Sequence, residues 1–461
     1  MMTVPALNRS KQPDIKKIVP FLLLLSLLVN SCARRDYVAD GIAADNKGDY
    51  DAAIANYNMA ITFSPNDAGA YYDRGVAKWH KGDYDGAIAD CTKAIELNPH
   101  DANAYCGRGL AMGSKGDDDS AIADLNKAIE LNPNDADAYY DRGDAKGDKD
   151  DHDGAIADYN KVIEMNPNDA DAYDQRGIEK GKKGDYVGAI ADCDKAIDLN
   201  PNDAGAYYDR GYEKSDKGDY NGAIADYNKA IDLNPNDADA YDGRGLNKGR
   251  KGDYDGAITD FNKAIELKPN FVDVYNNRGF AKYLKADYDG AIADFNKAVE
   301  INPSNAYAYY ERGVAKESKD DYDDAIADCN RAIELKPNYA SAYNDRGWNE
   351  YLKKEFDDAI SDATHAIQLD SKYGNAYGTR GWARYGKGDV AGALEDCKKA
   401  VEISSPNSGE TACDQGMIYF ISGDYQKSID SWQAAVQHDD SLQRALQPWI
   451  EKAKAKVALA K

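Results

Sequence analysis

The sequence predicts an all-α solenoid, in which short helical hairpins stack side by side along the chain. The dipeptide Arg-Gly returns every 34 residues, from Arg74-Gly75 to Arg380-Gly381. A fixed period of this length indicates one supersecondary unit that has been copied many times. Each unit is too short to bury its own apolar face, so its neighbours must cover that face. An array of stacked units is therefore expected rather than a globule with one core.

The composition agrees with an extended, solvated array. The 461 residues carry a net charge of −24, which opposes binding to nucleic acid and favours a basic or neutral partner. Cys91 and its equivalents in three other copies occupy a position that is Leu, Tyr or Phe elsewhere, so these thiols are expected to be small buried apolar groups. No disulfide, redox or metal-ligating spacing is apparent.

Residues 1–32 are predicted to be a signal peptide and lipoprotein anchor. Four basic residues between positions 9 and 17 precede an apolar run from Ile18 to Val29. Cys32 follows and resembles the lipidated cysteine of bacterial lipoproteins, although Asn30 is large for its place in that pattern. An uncleaved membrane anchor and plain secretion are the alternatives. All three place the repeats outside the cytoplasm, at the cell envelope, and the lipoprotein resemblance favours the outer membrane or periplasm over the inner membrane.

One copy of the repeat, residues 68–101, reads as two helices. The first begins after Asp67 and ends at Gly82, since glycine is the usual residue just beyond a helix C-terminus. Asp83 is suited to cap a second helix, which ends before Pro99 because proline disfavours helix at the preceding residue.

Small residues mark the contact between these two helices. Gly75, Ala87 and Ala94 recur in almost every copy, and a larger side chain at any of them would overpack the contact. Together with Tyr71 and Pro99 they resemble the pattern of the tetratricopeptide repeat family. The resemblance covers residues 34–441 and implies a right-handed superhelix of about twelve hairpins. The copies start near residues 34, 68, 102, 136, 170, 204, 238, 272, 306, 340, 374 and 409.

The first helix departs from the family pattern at one position, where Lys78 and its equivalents replace an aromatic residue. The lysine stem is one candidate for the contacts that a ring would make there.

An arginine and an aspartate covary within this single sequence. Every interior copy has both, and the two end copies lose both together. We therefore expect each pair to bridge the two helices of its own copy. The alternative is an arginine ladder that grips a carboxylate or phosphate of a ligand. Examples of these pairs are Arg74 with Asp90, Arg108 with Asp124, and Arg346 with Asp362.

The resemblance implies that the first helices line a concave groove, where partner peptides bind. Large amphipathic rings dominate binding hot spots, so aromatic residues at the groove positions are the candidate contacts. The alternative is that these rings pack on one another across neighbouring helices. The candidates are Tyr72 and Trp79 near the N-terminus, and Phe280, Tyr283, Tyr307, Tyr310, Trp348, Tyr351, Trp382 and Tyr385 towards the C-terminus.

Residues 442–461 are predicted to be a C-terminal capping helix. Trp449, Ile450, Ala453 and Val457 share one helical face, and a solenoid needs its last open face covered. Membrane contact by this lysine-rich helix is the alternative.

No arrangement of residues predicts catalysis, a metal site or a cofactor. The aspartates at 148–153 lack the register of a calcium loop, and no nucleophile–base or phosphate-loop pattern occurs. By family analogy the chain is expected to be a non-catalytic scaffold or assembly factor at the cell envelope. Its partner would be a protein or peptide with basic or aromatic segments. The alternative function is recognition of envelope glycan, such as peptidoglycan or another polysaccharide, on aromatic platforms that include Trp348, Tyr351, Trp382 and Tyr385.

Overall fold

Paired helices repeat through the part of the chain that the structure describes. The computed structural model describes residues 36–405, 408–438 and 442–460, and every regular element within these ranges is a helix. Odd-numbered helices from α1 to α23 are the first helices of the copies, and even-numbered helices are the second helices. The predicted signal segment, with Cys32, lies outside the described residues.

The described residues form two compact units that divide after Gly218. Unit 1 contains α1 (36–45), α2 (Tyr50–Phe63), α3 (Ala68–His80), α4 (Tyr84–Leu97), α5 (Ala102–Gly113), α6 (Asp118–Leu131), α7 (Ala136–Asp148), α8 (His152–Met165), α9 (Ala170–Lys182), α10 (Tyr186–Leu199) and α11 (Ala204–Asp216).

Unit 2 contains the later copies and one additional helix. Its helices are α12 (Tyr220–Leu233), α13 (Ala238–Arg250), α14 (Tyr254–Leu267), α15 (Val272–Leu284), α16 (Tyr288–Ile301), α17 (Ala306–Glu317), α18 (Tyr322–Leu335), α19 (Ala340–Leu352), α20 (Phe356–Leu369), α21 (Gly374–Lys387), α22 (Val390–Ile403), α23 (Gly409–Ile421), α24 (Tyr425–His438) and α25 (Leu442–Ala460).

The turns between paired helices follow from the residues that the sequence analysis selected. Gly82 has φ +83°, a left-handed conformation that glycine adopts without steric cost. The Asp83 carboxylate then accepts a hydrogen bond of 3.0 Å from the Gly86 amide and caps the second helix. The predicted helix boundary at Gly82 and Asp83 is confirmed.

The paired helices approach closely at the predicted small residues. A Cβ atom added to Gly75 would lie 2.9 Å from the Cys91 sulfur and 3.3 Å from the Ala87 carbonyl. Ala87, Cys91 and Ala94 are all buried. The slot that Cys91 fills holds buried Tyr159 in another copy, so the thiols are apolar filling, as predicted.

The predicted C-terminal helix exists as α25. Leu446, Ile450 and Ala453 are buried in one apolar cluster with Trp432 of α24 and Met417 of α23. Trp449 and Val457 pack against the same cluster while remaining partly exposed. The helix therefore covers the face that the last repeat would otherwise leave open.

Candidate functional site

The repeated arginines are held by the protein itself. Arg74 donates from Nε to Asp90 Oδ2 at 2.8 Å and from Nη2 to Asp90 Oδ1 at 2.5 Å. Its third nitrogen, Nη1, donates to Asn58 Oδ1 of the preceding copy at 2.5 Å. The guanidinium carbon also lies 5.3 Å from the centre of the Tyr71 ring, a cation–π distance.

The other example pairs have the same geometry. Arg108 reaches the Asp124 oxygens at 2.6 and 2.8 Å, and Arg346 reaches the Asp362 oxygens at 2.5 and 2.7 Å. Each arginine thus forms a two-pronged ion pair inside its own copy. This geometry argues against the ligand-gripping ladder, because the guanidinium donors are already bonded within the repeats.

The lysine of the first helix belongs to the same ion-pair group. Lys78 Nζ lies 2.8 Å from Asp90 Oδ2, and Lys316 Nζ lies 2.9 Å from Asp328 Oδ2. This contact was not predicted from the sequence. A lysine four residues after the paired arginine, one helical turn away on the same face, was the available signal.

One copy reverses the charge at the lysine position. Glu350 stands where Lys316 stands in the preceding copy, and its side chain is 9% exposed. Its Oε2 atom is buried without a hydrogen-bond partner. Burial, and then the nearby Asp362 carboxylate, raise the pKa of Glu350 to about 8. This copy therefore holds a carboxyl group where the preceding copy holds the ammonium group of Lys316 and the next copy the guanidinium group of Arg384.

Near the N-terminus, both candidate rings line a cavity in unit 1. Tyr72 and Trp79 face a space of about 330 Å³ together with Tyr140 and Asp141. The Trp79 indole donates to Ser114 Oγ at 2.9 Å. Burial raises the pKa of Asp141 to about 7. The structure brings Tyr72 and Trp79 together, as a joint binding position requires.

Towards the C-terminus, consecutive first helices of unit 2 adjoin one another and form a surface. We call the face made by α15, α17, α19, α21 and α23 the first-helix surface. Phe280 is 40% exposed, Leu284 43% and Tyr307 43%. The Phe280 and Tyr283 rings stack at 6.4 Å. This stretch, on α15 and α17, is the open part of the surface.

The other part of the surface is covered, which corrects the sequence analysis for two of its candidates. Tyr351 is 9% exposed and Trp382 only 2%. Trp382 packs edge-on against Trp348 at 6.4 Å and against Trp449 of α25 at 5.6 Å. For Tyr351 and Trp382 the alternative of rings packing on one another is the correct one, because α25 folds over them.

Trp348 and Tyr385 flank this covered part and remain partly exposed. The Trp348 ring stacks on Tyr351 at 5.1 Å, and the Tyr385 ring meets Trp449 edge-on at 5.4 Å. Tyr310, also partly exposed, lies 4.9 Å from the Tyr339 ring. Trp348 and Tyr385 therefore border the covered rings, whereas Tyr310 packs on Tyr339 just before α19.

Where the two parts meet, a cavity of about 530 Å³ lies between the first helices and the start of α25. Tyr283, Val314 and Trp348 give it apolar walls, and Glu317 and Asp320 give it carboxylates. Arg444 of α25 forms an ion pair with Asp320. The cavity thus combines rings with acidic groups, one of which already accepts a cation.

Carboxyl groups with raised pKa values lie along the same surface. Burial raises the pKa of Glu311 to about 7 and that of Asp414 to about 8. Burial also raises the pKa of Asp345, which accepts a hydrogen bond of 2.9 Å from Asn344 Nδ2. The Trp382 indole donates to Asp414 Oδ1 at 3.0 Å. A cation brought beside the partly exposed Glu311 would favour ionisation of its carboxyl group.

Among residues 36–405, 408–438 and 442–460, no cluster of His, Cys, Asp or Glu has the arrangement of a metal site. In the same ranges no helix is both long and apolar enough to cross a bilayer.

Tetratricopeptide profiles match the chain over more than half of its length. A profile described as TPR repeat matches residues 46–82, 113–150, 211–247, 250–285 and 283–320. Two profiles described as tetratricopeptide repeat match residues 68–101 and 306–339, and residues 136–169 and 170–203. A search of curated protein sequences gives no match.

Solved structures with helical repeats are similar to the chain. The crystal structure of MamA is 35% identical, with 36% of this chain and 96% of MamA covered and a TM-score of 0.33. YrrB, described as a TPR protein with an unusual peptide-binding site, is 26% identical, with 40% and 95% covered and a TM-score of 0.34. Yeast Tom70 is 18% identical, with 90% and 99% covered and a TM-score of 0.42.

Proposed function

The chain belongs to the tetratricopeptide repeat family, whose members bind protein or peptide partners, and we propose that it is a non-catalytic scaffold or assembly factor at the bacterial cell envelope. In this proposal the open part of the first-helix surface of unit 2 binds a peptide segment that carries both apolar and basic residues. The observation that carries the proposal is the exposure of Phe280, Leu284 and Tyr307 beside acidic residues of the same surface.

Exposed rings on adjoining helices support binding rather than folding. Phe280 and Leu284 on α15 and Tyr307 on α17 each keep about two-fifths of their surface in contact with water. Removing this apolar area from water would favour association by roughly 25 cal/mol for each Å² buried. Rigid aromatic rings also lose little conformational entropy when a partner packs on them.

The charge of the surface supports a basic partner. Glu317 and Asp320 lie in the cavity beside the exposed rings, and Glu311 lies on α17. The contact of Arg444 with Asp320 within the chain supports pairing of a guanidinium group at this position. A lysine or arginine next to a large apolar residue therefore matches both the charge and the rings.

The binding test uses a defined probe, a fluorescent amphipathic peptide of lysine, leucine and tryptophan. The control peptide carries glutamate in place of each lysine. We expect the lysine peptide to bind, and Leu284→Ala to weaken binding about fivefold or more. Leu369→Ala is the matched control, since Leu369 is 39% exposed but ends α20, a second helix. Equal binding of the two peptides, or no effect of Leu284→Ala, would refute the proposed surface.

The envelope location is a separate part of the proposal. It is supported by the basic segment, the apolar run Ile18 to Val29 and Cys32, which together resemble a lipoprotein signal. We expect a fatty-acid label to be incorporated into the chain and to be lost in Cys32→Ser but retained in Cys106→Ser. Label that persists in Cys32→Ser would exclude a lipid on this cysteine.

Glycan recognition, the alternative from sequence, has less support. A sugar platform requires exposed, nearly coplanar rings. Tyr351 and Trp382 are buried, and the Trp348 and Trp382 planes are 86° apart.

A further inference from the structure

The C-terminal helix does more than cover the end of the array. A cap needs only the face of α25 that carries Leu446, Ile450 and Ala453, which are buried in the cluster with α23 and α24. Arg444, Trp449 and Lys452 form an adjoining second face of α25, although Trp449 also packs against this cluster. Their contacts reach beyond the cap, because Trp449 and Lys452 contact rings of the first-helix surface and Arg444 pairs with Asp320.

Trp449 is the central contact of this second face. Its ring lies 5.6 Å from Trp382, 5.4 Å from Tyr385 and 5.6 Å from Phe420. Its indole also forms a hydrogen bond with the Tyr351 hydroxyl. One tryptophan thus covers aromatic residues of three successive first helices, α19, α21 and α23. This is the manner in which a hot-spot side chain of a partner would occupy such a surface.

The chemistry of this face matches the proposed partner. The Lys452 ammonium lies 4.7 Å from the Trp449 ring and 5.5 Å from the Phe420 ring. Arg444, which lies more than one helical turn before Trp449 in α25, pairs with Asp320 at the edge of the cavity. A tryptophan flanked by basic residues therefore lies on a surface of rings and carboxylates.

The first turns of α25 are held less firmly than its middle. Pro448 lies inside the helix and cannot donate the backbone hydrogen bond to residue 444. Gln443, Arg444 and Ala445 line the cavity of about 530 Å³ and lie outside the apolar cluster, which the first turn reaches through Leu442. The beginning of α25 can therefore separate from the surface at less cost than the segment that carries Ile450 and Ala453.

We infer that α25 is a built-in competitor, which occupies the covered part of the first-helix surface until a partner helix with tryptophan and basic residues displaces its Trp449 face. This inference extends the proposed function to the covered part of the same surface. The apparent affinity for a partner equals the intrinsic affinity multiplied by the fraction of molecules in which the surface is free. Occupation of the surface by α25 therefore lowers the apparent affinity. Weakening the Trp449 contacts should then increase binding in trans.

The test measures binding of a fluorescent peptide with the sequence of residues 442–460 to the full chain. We expect Trp449→Ala in the chain to increase peptide affinity roughly tenfold or more, because the free fraction of the surface rises. Leu459→Ala is the matched control, since Leu459 lies on α25 and is 83% exposed. A peptide with alanine in place of its tryptophan should not bind the Trp449→Ala chain.

A second substitution decides the question if Trp449→Ala fails to fold. Arg444→Glu changes an exposed residue and places a negative charge beside Asp320, whereas Arg444→Lys keeps the ion pair. We expect peptide affinity to rise for Arg444→Glu and to stay unchanged for Arg444→Lys. Equal affinity of the parent chain and of the folded weakening variant would overturn the inference.

The two proposals fail separately. If the lysine peptide binds no better than the glutamate peptide and Leu284→Ala has no effect, the proposed open binding surface is refuted. The displacement of α25 is not refuted by that result, because its test depends on Trp449 and not on Leu284.

Discussion

Glu350 provides a strong test of the energetics of the repeats, because other copies of the same chain supply its control. In the preceding copy, Lys316 Nζ lies 2.9 Å from Asp328 Oδ2 and completes an ion-pair group with Arg312. Glu350 occupies the equivalent position with an unpartnered Oε2 atom. We predict that Glu350→Lys stabilises unit 2 and that Glu350→Gln recovers part of the gain.

The size of the effect follows from the pKa. Burial, followed by Asp362, raises the pKa of Glu350 from 4.5 to about 8 in the folded chain. The folded chain therefore favours the protonated form of Glu350. The free energy of unfolding is highest below pH 4.5, where Glu350 is protonated in both states, and it falls as pH rises through about 8. At 1.36 kcal/mol per pKa unit, the loss is at most roughly 3 kcal/mol at pH 7 and 5 kcal/mol above pH 8, and solvent screening reduces both values.

The assay is urea unfolding at pH 5 and pH 8, followed by circular dichroism. Because a repeat array can unfold in steps, hydrogen exchange of α19 and α20 reports the local effect. The gain from Glu350→Gln should be small at pH 5 and about 2 kcal/mol or more at pH 8. Lys316→Glu should produce the opposite change in the neighbouring copy. A gain that does not depend on pH would refute the assigned pKa, and no gain would refute the ion-pair argument.

Four further substitutions test other parts of the array by chemical or thermal unfolding. Arg278→Ala should cost about 3 kcal/mol, because it leaves a buried aspartate without its two-pronged partner; a loss below 1 kcal/mol would contradict this. Gly279→Ala should lower the free energy of unfolding by about 1–3 kcal/mol, since its Cβ would lie 2.9 Å from the Phe295 ring. In Gly249→Ala the nearest atom would be the Ala257 Cβ at 3.9 Å, so this change should stabilise its helix by up to about 1 kcal/mol. Ala286→Gly should raise the thermal midpoint, because Ala286 has φ +59° where other copies place glycine; an unchanged or lower midpoint would contradict it.

Several features of the site could be predicted from sequence because they repeat. The pairing of Arg74 with Asp90 was visible as joint presence and joint loss across copies, and both residues lie within one hairpin. Lys78 was available from the same pattern but its ion pair was missed, because a lysine stem was considered as a packing group. Glu350 became meaningful only when the structure showed which atoms the lysines contact.

The candidate rings divide according to whether repeats alone position them. Phe280 and Tyr307 lie on first helices whose neighbours are other repeats, and they are exposed as the pattern predicts. Tyr351 and Trp382 also lie on first helices, but they are buried. Trp449 of α25, which lies outside the repeats, contributes to the burial of Trp382 together with Trp348 and Trp432.

The sequence by itself determined the array of hairpins, their caps, and the contacts within a copy. These depend on residues within one copy, and the same residue pattern is repeated many times along the chain. Only the tertiary structure decided which part of the first-helix surface is open. That outcome depends on one helix folding back onto α19, α21 and α23 through contacts that occur once. Such contacts leave no period in the sequence, because their free energy arises from surfaces that meet only in the folded chain.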